Sequence, residues 1–221
     1  MRYALYYAPE HDDPLWQAGT RWLGRDPETG FDLEPPAVPD IATRTTAARR
    51  YGFHATLKAP FAIGTDEAAL IVAVAELAAR LRPFTLPRLA VTRLDGFIAL
   101  CAIEESPALR CLAARCVIGL DRHRAGMRPE DRLKRIEGLD PRGIDYFDRY
   151  GYPHVMERFR FHLTLSDRGA PEAMFRAACD YFAASLGLTR EVRALALFRE
   201  DAPGADFRLI ARVPMGGMTA H

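Results

Sequence analysis

Lysine is nearly missing from this chain. Of 221 residues only Lys58 and Lys134 carry an ammonium group, and arginine supplies almost all the positive charge. The formal net charge is +1 at pH 7. No global field therefore draws in nucleic acid or an anionic membrane, and any anion site must be local. The four cysteines, Cys101, Cys111, Cys116 and Cys179, form no Cys-x-x-Cys. That removes zinc-knuckle and thioredoxin-like readings and leaves small buried apolar residues of a reducing compartment. Neither His-x-His nor His-Glu-x-x-His occurs, and His11, His123, His154 and His221 have no matched partners, so no metal site is expected. No run reaches the roughly eighteen apolar residues of a membrane span, and MRYALYYAPEHDD has no apolar signal core. A cytoplasmic setting, without a membrane partner, is the expectation. The length suits one large domain, or two small lobes sharing a cleft.

What is present reads as alternating strands and helices. Residues 3–8 are aromatic-rich and stopped by Pro9, which predicts a strand. Asp13-Pro14 opens a helix to about Leu23, with Asp13 as N-cap. Residues 24–40 hold prolines without periodicity and form a loop, and 43–50 make a short helical approach. A strand over 53–63 precedes a helix from Asp66 to Leu81, then strands over 84–94 and 97–103 joined at Asp95-Gly96, a hairpin signal. A helix from Ser106 to Asp121 follows. Residues 122–152 read as an irregular, basic insertion. A strand over 158–166, a helix from Pro171 to Leu186 and strands over 191–199 and 206–213 complete the chain, and the tail from Met215 is expected to fray.

One pattern occurs twice. YGFHATLKAPF and FRFHLTLSDRG each contain Phe-His-x-Thr-Leu, and each is followed by helix, strand, strand. His54 to Leu89 spans 35 positions and His162 to Leu195 spans 33, which marks a duplication. Its units run over about 53–103 and about 159–213, within one domain of two lobes. As strands, the motifs send Phe53, Ala55, Leu57 and Phe161, Leu163, Leu165 to an apolar face. His54, Thr56, Lys58 and His162, Thr164, Ser166 go to a polar one. Two imidazoles across a cleft suit transfer at phosphorus. One neutral ring takes a proton from the attacking oxygen, and the opposite protonated ring gives one to the leaving oxygen. The threonine hydroxyls can bond non-bridging oxygens, and Lys58 can offset their charge. Lys58 equally suits a cation reaching to solvent, Ser166 carries less weight, and Tyr51 suits either a stacked sugar or base or plain packing. The basic run at 122–135 is interleaved with Asp121, Glu130 and Asp131, the pattern of a solvated ion-paired segment.

The paired His-x-Thr-Leu strands resemble the 2H phosphoesterase superfamily. The run Arg50–Phe61, with the Arg2-Tyr3-Ala4 opening and the helix at 16–24, is similar to a subgroup of unknown function (DUF1045-like) found among phosphonate-metabolism genes. The resemblance implies an α+β, bilobal, duplicated fold: two antiparallel sheets flanked by helices around a central cleft, related by a pseudo-twofold axis. It also implies metal-free cyclic phosphodiester chemistry, with no cofactor. By motif match, His54 and His162 take the acid and base roles, and Thr56 and Thr164 bind phosphate. Lys58, Tyr51 and Ser166 are the further binding candidates. The expected partner is a small phosphorylated sugar or nucleotide. RNA end processing, as a 2′,3′-cyclic phosphodiesterase or 2′-5′ ligase-like enzyme, is the alternative that near-zero net charge disfavours. A non-catalytic phosphosugar or nucleotide binder is the other.

Overall fold

The computed structural model describes residues 1–216. In chain order the elements are β1 (Arg2–Tyr7), α1 (Pro14–Leu23), α2 (Ile41–Arg44), α3 (Thr46–Tyr51), β2 (Ala55–Phe61), α4 (Glu67–Ala79), β3 (Phe84–Thr85), β4 (Leu89–Leu94), β5 (Phe97–Ala102), α5 (Pro107–Leu120), α6 (Pro129–Ile136), α7 (Pro141–Tyr150), β6 (His162–Thr164), α8 (Glu172–Leu186), β7 (Glu191–Val192), β8 (Ala194–Glu200) and β9 (Phe207–Pro214). Asp13 caps α1 as expected, and Asp66 and Ser106 cap α4 and α5: each accepts a backbone N–H of the first turn. At the β4–β5 turn both Asp95 and Gly96 have positive φ, as a two-residue hairpin whose twist matches its strands requires.

Three expectations change. The 122–152 segment is not irregular but holds α6 and α7. Both begin with proline at the first turn, and Asp140 caps α7 through Gly143 N, the chemistry that opens α1. The 84–94 and 191–199 strands are each split, because β3 and β7 leave the main sheet to pair with one another. Met215 and Gly216 are tied down, donating to the carbonyls of Arg193 and Ala78. The tail from residue 217 on, His221 included, lies outside the described residues. Of the cysteines only Cys116 is buried, and Cys111 is exposed. None of the described helices is long and apolar enough to cross a membrane.

The protein is α+β. Its main sheet has seven strands in the order β4-β5-β6-β2-β1-β8-β9, with every pairing antiparallel. The two antiparallel sheets expected from the repeat meet edge to edge, joined by one residue pair between β2 and β6, Ala55 with Leu163. The second, two-stranded sheet pairs Phe84 with Val192 and Thr85 with Glu191. The hairpins have traded places. The first unit's hairpin, β4–β5, lies beside the second motif strand β6, and the second unit's hairpin, β8–β9, lies beside β1, which flanks the first motif strand β2. The helices agree, since α4 packs on β8 and β9 while α8 packs on β4. The units read from the sequence are thus interlaced in space, and a single apolar core runs through both.

Helix α1 pins both motifs. Trp22 Nε1 donates to the Leu165 carbonyl at 2.8 Å. Gly19 lies flat against Phe53, so closely that a Cβ there would come within 2.3 Å of the ring. Gly19→Ala is expected to cost about 1–3 kcal/mol net, because overpacking outweighs the better helix propensity of alanine. Urea denaturation measures it, and an unchanged midpoint would mean that Phe53 is not held where the contacts place it.

Candidate active site

The single β2–β6 pair joins the middle residues of the two motifs, Ala55 and Leu163. In that antiparallel register His54 lies alongside Thr164 and Thr56 alongside His162. The side chains next to a buried pair share the opposite face. Ala55 and Leu163 are fully buried, whereas all four polar residues are half-buried. The alternation expected from sequence therefore brings two imidazoles and two hydroxyls to one patch across a local twofold.

Both rings are held in the same way. His54 Nδ1 is 2.9 Å from the Gly52 carbonyl, and His162 Nδ1 is 2.8 Å from the Arg160 carbonyl. A carbonyl only accepts, so each Nδ1 carries the proton and each Nε2 is left for chemistry. Gly52 has φ 79°, and a Cβ there would lie 2.8 Å from Pro27, so glycine alone supplies this carbonyl without strain. Thr56 Oγ1 is 3.3 Å from His54 Nε2.

The surroundings of the two rings differ. Tyr6 stacks on His54 at 3.6 Å between centroids, and Phe198 and Tyr51 approach at 6.0 and 6.4 Å. Burial pulls the His54 pKa down to about 4, against the hydrogen bond to Gly52, and His162 adds a small push in the same direction. Burial also lowers His162, which faces Arg160, Asp95 and His154. Tyr6 was not singled out in the sequence. It is fully buried, its hydroxyl has no partner among the described residues, and it pairs with Thr56 across β1 and β2. The signal was there in the aromatic run of β1, and what hid it was the pairing partner.

A cavity of about 290 Å³ opens beside this patch, lined by one of the four polar motif residues from each strand, Thr56 and His162. Tyr152, His154, Arg158, Arg160, Arg168 and Asp95 also line it. None of these was singled out as a site residue. His54 does not line it and meets it through Thr56, and Thr164 does not line it either.

Of the further candidates, Tyr51 stays beside His54, stacked on Phe207 at 5.0 Å with the Arg50 guanidinium over its ring. Lys58 does not join the patch. It is 3% exposed, and its ammonium donates to the Val117 carbonyl at 3.2 Å and to Asp121 at 3.3 Å. The cause is an extra residue in β2 relative to β1 between Thr56 and Lys58, which ends strict alternation. Ser166 is lost the same way. Leu165 and Ser166 both donate their N–H to the Ile98 carbonyl, and the Ser166 hydroxyl accepts from Ile98 N and donates to the Asp167 carbonyl. Lys58→Met is expected to change kcat/KM less than about 3-fold, against 10-fold or more for a lost charged phosphate contact. A steady-state titration with a cyclic phosphodiester decides, and a drop of 10-fold or more would return Lys58 to the phosphate.

The 122–135 run is laced with ion pairs as expected. Arg124 binds Asp121, Arg128 binds Asp131, and Arg132 binds Asp148. Among the described residues no three His, Cys, Asp or Glu side chains converge as a metal would need.

The chain matches the family described as "Protein of unknown function (DUF1045)" over residues 56–208. The chain belongs to that family. Two curated relatives, from Janthinobacterium sp. (strain Marseille) and Laribacter hongkongensis (strain HLHK9), are each 38% identical over 98% and 95% of this chain. Both carry the name ribose 1,5-bisphosphate phosphokinase PhnN. This chain spans about half their length, 51% and 50%. Among solved structures, E. coli LigT in its apo form overlays on 97% of this DUF1045 chain and 96% of its own, at 16% identity and a TM-score of 0.49. That overlap is loose and assigns no chemistry to the patch.

Proposed function

We propose that this protein is a phosphoesterase that opens a cyclic phosphodiester on a small phosphorylated sugar or nucleotide, with the two motif histidines as base and acid. The observation that carries the reading is the pairing of Ala55 with Leu163, together with the matched tethering of both Nδ1 atoms to carbonyls two residues upstream. It supports two Nε2 atoms acting from opposite sides of one phosphorus atom. Thr56 and Thr164 then hold the non-bridging oxygens.

The asymmetry of the rings supports an assignment of roles. His54, stacked and desolvated, stays neutral at ordinary pH and takes a proton from the attacking water. His162, less strongly shifted, is the ring that gives a proton to the leaving ring oxygen. Water adds to phosphorus, the P–O bond to the leaving oxygen breaks, and the products are a phosphomonoester and a free hydroxyl. The relatives' printed name supports a phosphorylated ribose as the sugar, and the subgroup resemblance supports a place in phosphonate metabolism.

The test is the pH dependence of kcat/KM on ribose 1,2-cyclic phosphate and on 2′,3′-cyclic nucleotides. A bell is expected with its acid limb near 4, where His54 gains a proton and ceases to be a base. Its alkaline limb is expected below 6.5, where His162 loses its proton. A rate that climbs through pH 7 to a plateau would defeat the assignment, and so would turnover abolished by EDTA.

A further inference from the structure

We propose that the arginine wall of the cavity is a second-phosphate subsite, so that the substrate is a sugar cyclic phosphodiester that also carries a terminal phosphate monoester. The inference rests on the proposed function and extends it from reaction to substrate class. The carrying observation is how charge is distributed within the cavity. Arg158, Arg160, Arg168 and His154 line the same cavity as Thr56 and His162. Asp95 is the one carboxylate in that lining.

A cyclic phosphodiester bears a single negative charge, which a protonated histidine and two threonine hydroxyls suffice to meet. The wall offers more than that. Arg160 takes up the Asp95 carboxylate, and Arg158 is engaged by Asp140 at 2.7 Å, outside the cavity. Arg168 has no carboxylate partner among the described residues; its guanidinium donates to the Asp95 backbone carbonyl. His154, edge-on to Tyr152 at 5.4 Å, is the fourth donor. Burial and the neighbouring Arg160 and Arg158 lower its pKa, so it meets a ligand as a neutral imidazole.

A phosphate monoester carries about 1.5 to 2 negative charges at neutral pH, which matches one unpaired guanidinium plus a shared one and an imidazole. Guanidinium groups also fit phosphate oxygens in pairs, which an ammonium does not. Within the cavity that the motif residues Thr56 and His162 line, cations outnumber carboxylates. In the other basic stretch, at 122–135, Arg124, Arg128 and Arg132 are paired with carboxylates, and neither motif histidine lines the cavity beside it. A cavity of about 290 Å³ sits at the small end of ligand pockets, which favours a phosphosugar over a strand whose next phosphate belongs to an RNA backbone.

The test separates subsite from reaction. Calorimetry with ribose 5-phosphate is expected to show binding that weakens by about 10- to 100-fold in Arg168→Ala and in Arg160→Ala, the worth of a charge-assisted hydrogen bond. Arg168→Lys should keep part of it, and His54→Ala should keep nearly all. Asp95→Asn should tighten binding, because it removes the competing carboxylate while asparagine retains the positive-φ turn. Equal affinity in wild type and Arg168→Ala would overturn the subsite.

In turnover, ribose 1,2-cyclic phosphate bearing a 5-phosphate should exceed the unphosphorylated sugar by at least about 10-fold, with the preference gone in Arg168→Ala. Turnover without that preference removes the subsite and leaves the reaction standing. Arginine-dependent binding of ribose 5-phosphate, with no cyclic phosphodiester opened, does the reverse. An oligonucleotide ending in a cyclic phosphate that outcompetes the small sugar, in an Arg168-dependent way, would assign the wall to an RNA backbone instead.

Discussion

Alanine in place of His54 or His162 is expected to cut turnover of a cyclic phosphodiester by about 10²- to 10⁴-fold, the range over which a positioned acid or base contributes. The double variant should lose little more than the worse single one, because each ring is useful only while the other completes the proton transfer. The two losses should differ in kind. Without His54, added external base restores some rate. Without His162, substrates with good leaving groups suffer least, since they need no proton. Rates measured on a cyclic nucleotide and on an activated phosphodiester ester separate these outcomes. Full activity in the double variant would end the proposal. Identical losses on both leaving groups in His162→Ala would reverse the roles assigned to the two rings.

The largest expected effect on stability lies away from the motifs. The Glu200 side chain is 1% exposed and accepts from both the Arg2 and Arg50 guanidinium groups and from Gly204 N at 3.0 Å. Removing it leaves two partly buried cations facing nothing, and Glu200→Ala is expected to cost about 3–5 kcal/mol. The hydrogen bond from Arg2 holds its carboxyl below the usual value of 4.5, against burial, and Arg50 adds to the effect. A depressed carboxyl stabilises the fold fully above the unfolded pKa and loses that contribution as pH falls through the folded one. The gap between wild type and Glu200→Gln in urea should therefore be wide at pH 7 and shrink below about pH 4.5. A gap that stays constant down to pH 3 would show that the carboxylate is not the source.

The site was legible in the sequence as far as period two carries. His54, Thr56, His162 and Thr164 share a face because nothing interrupts the alternation across the one residue between each pair, Ala55 and Leu163. Lys58 and Ser166 lie just past a register shift and a doubled N–H contact to Ile98, and no residue type announces either. The wall of Tyr152, His154, Arg158, Arg160 and Arg168 was out of reach for another reason. Its members lie on both sides of the second motif, and only the segment between α7 and β6 and the turn after β6 bring them to the cavity. The 122–152 segment, by contrast, could have been read. Asp140-Pro141 is the same opening as Asp13-Pro14, masked by Gly126, Gly138 and dense charge.

The exchange of hairpins was invisible for the deepest reason, that strand partners are chosen across the whole chain rather than locally. It also bears on handling. The second motif strand, β6, has both its neighbours, β5 and β2, from the first half of the chain, so a polypeptide cut between β5 and β6 yields two fragments that each lack strands needed to close the sheet.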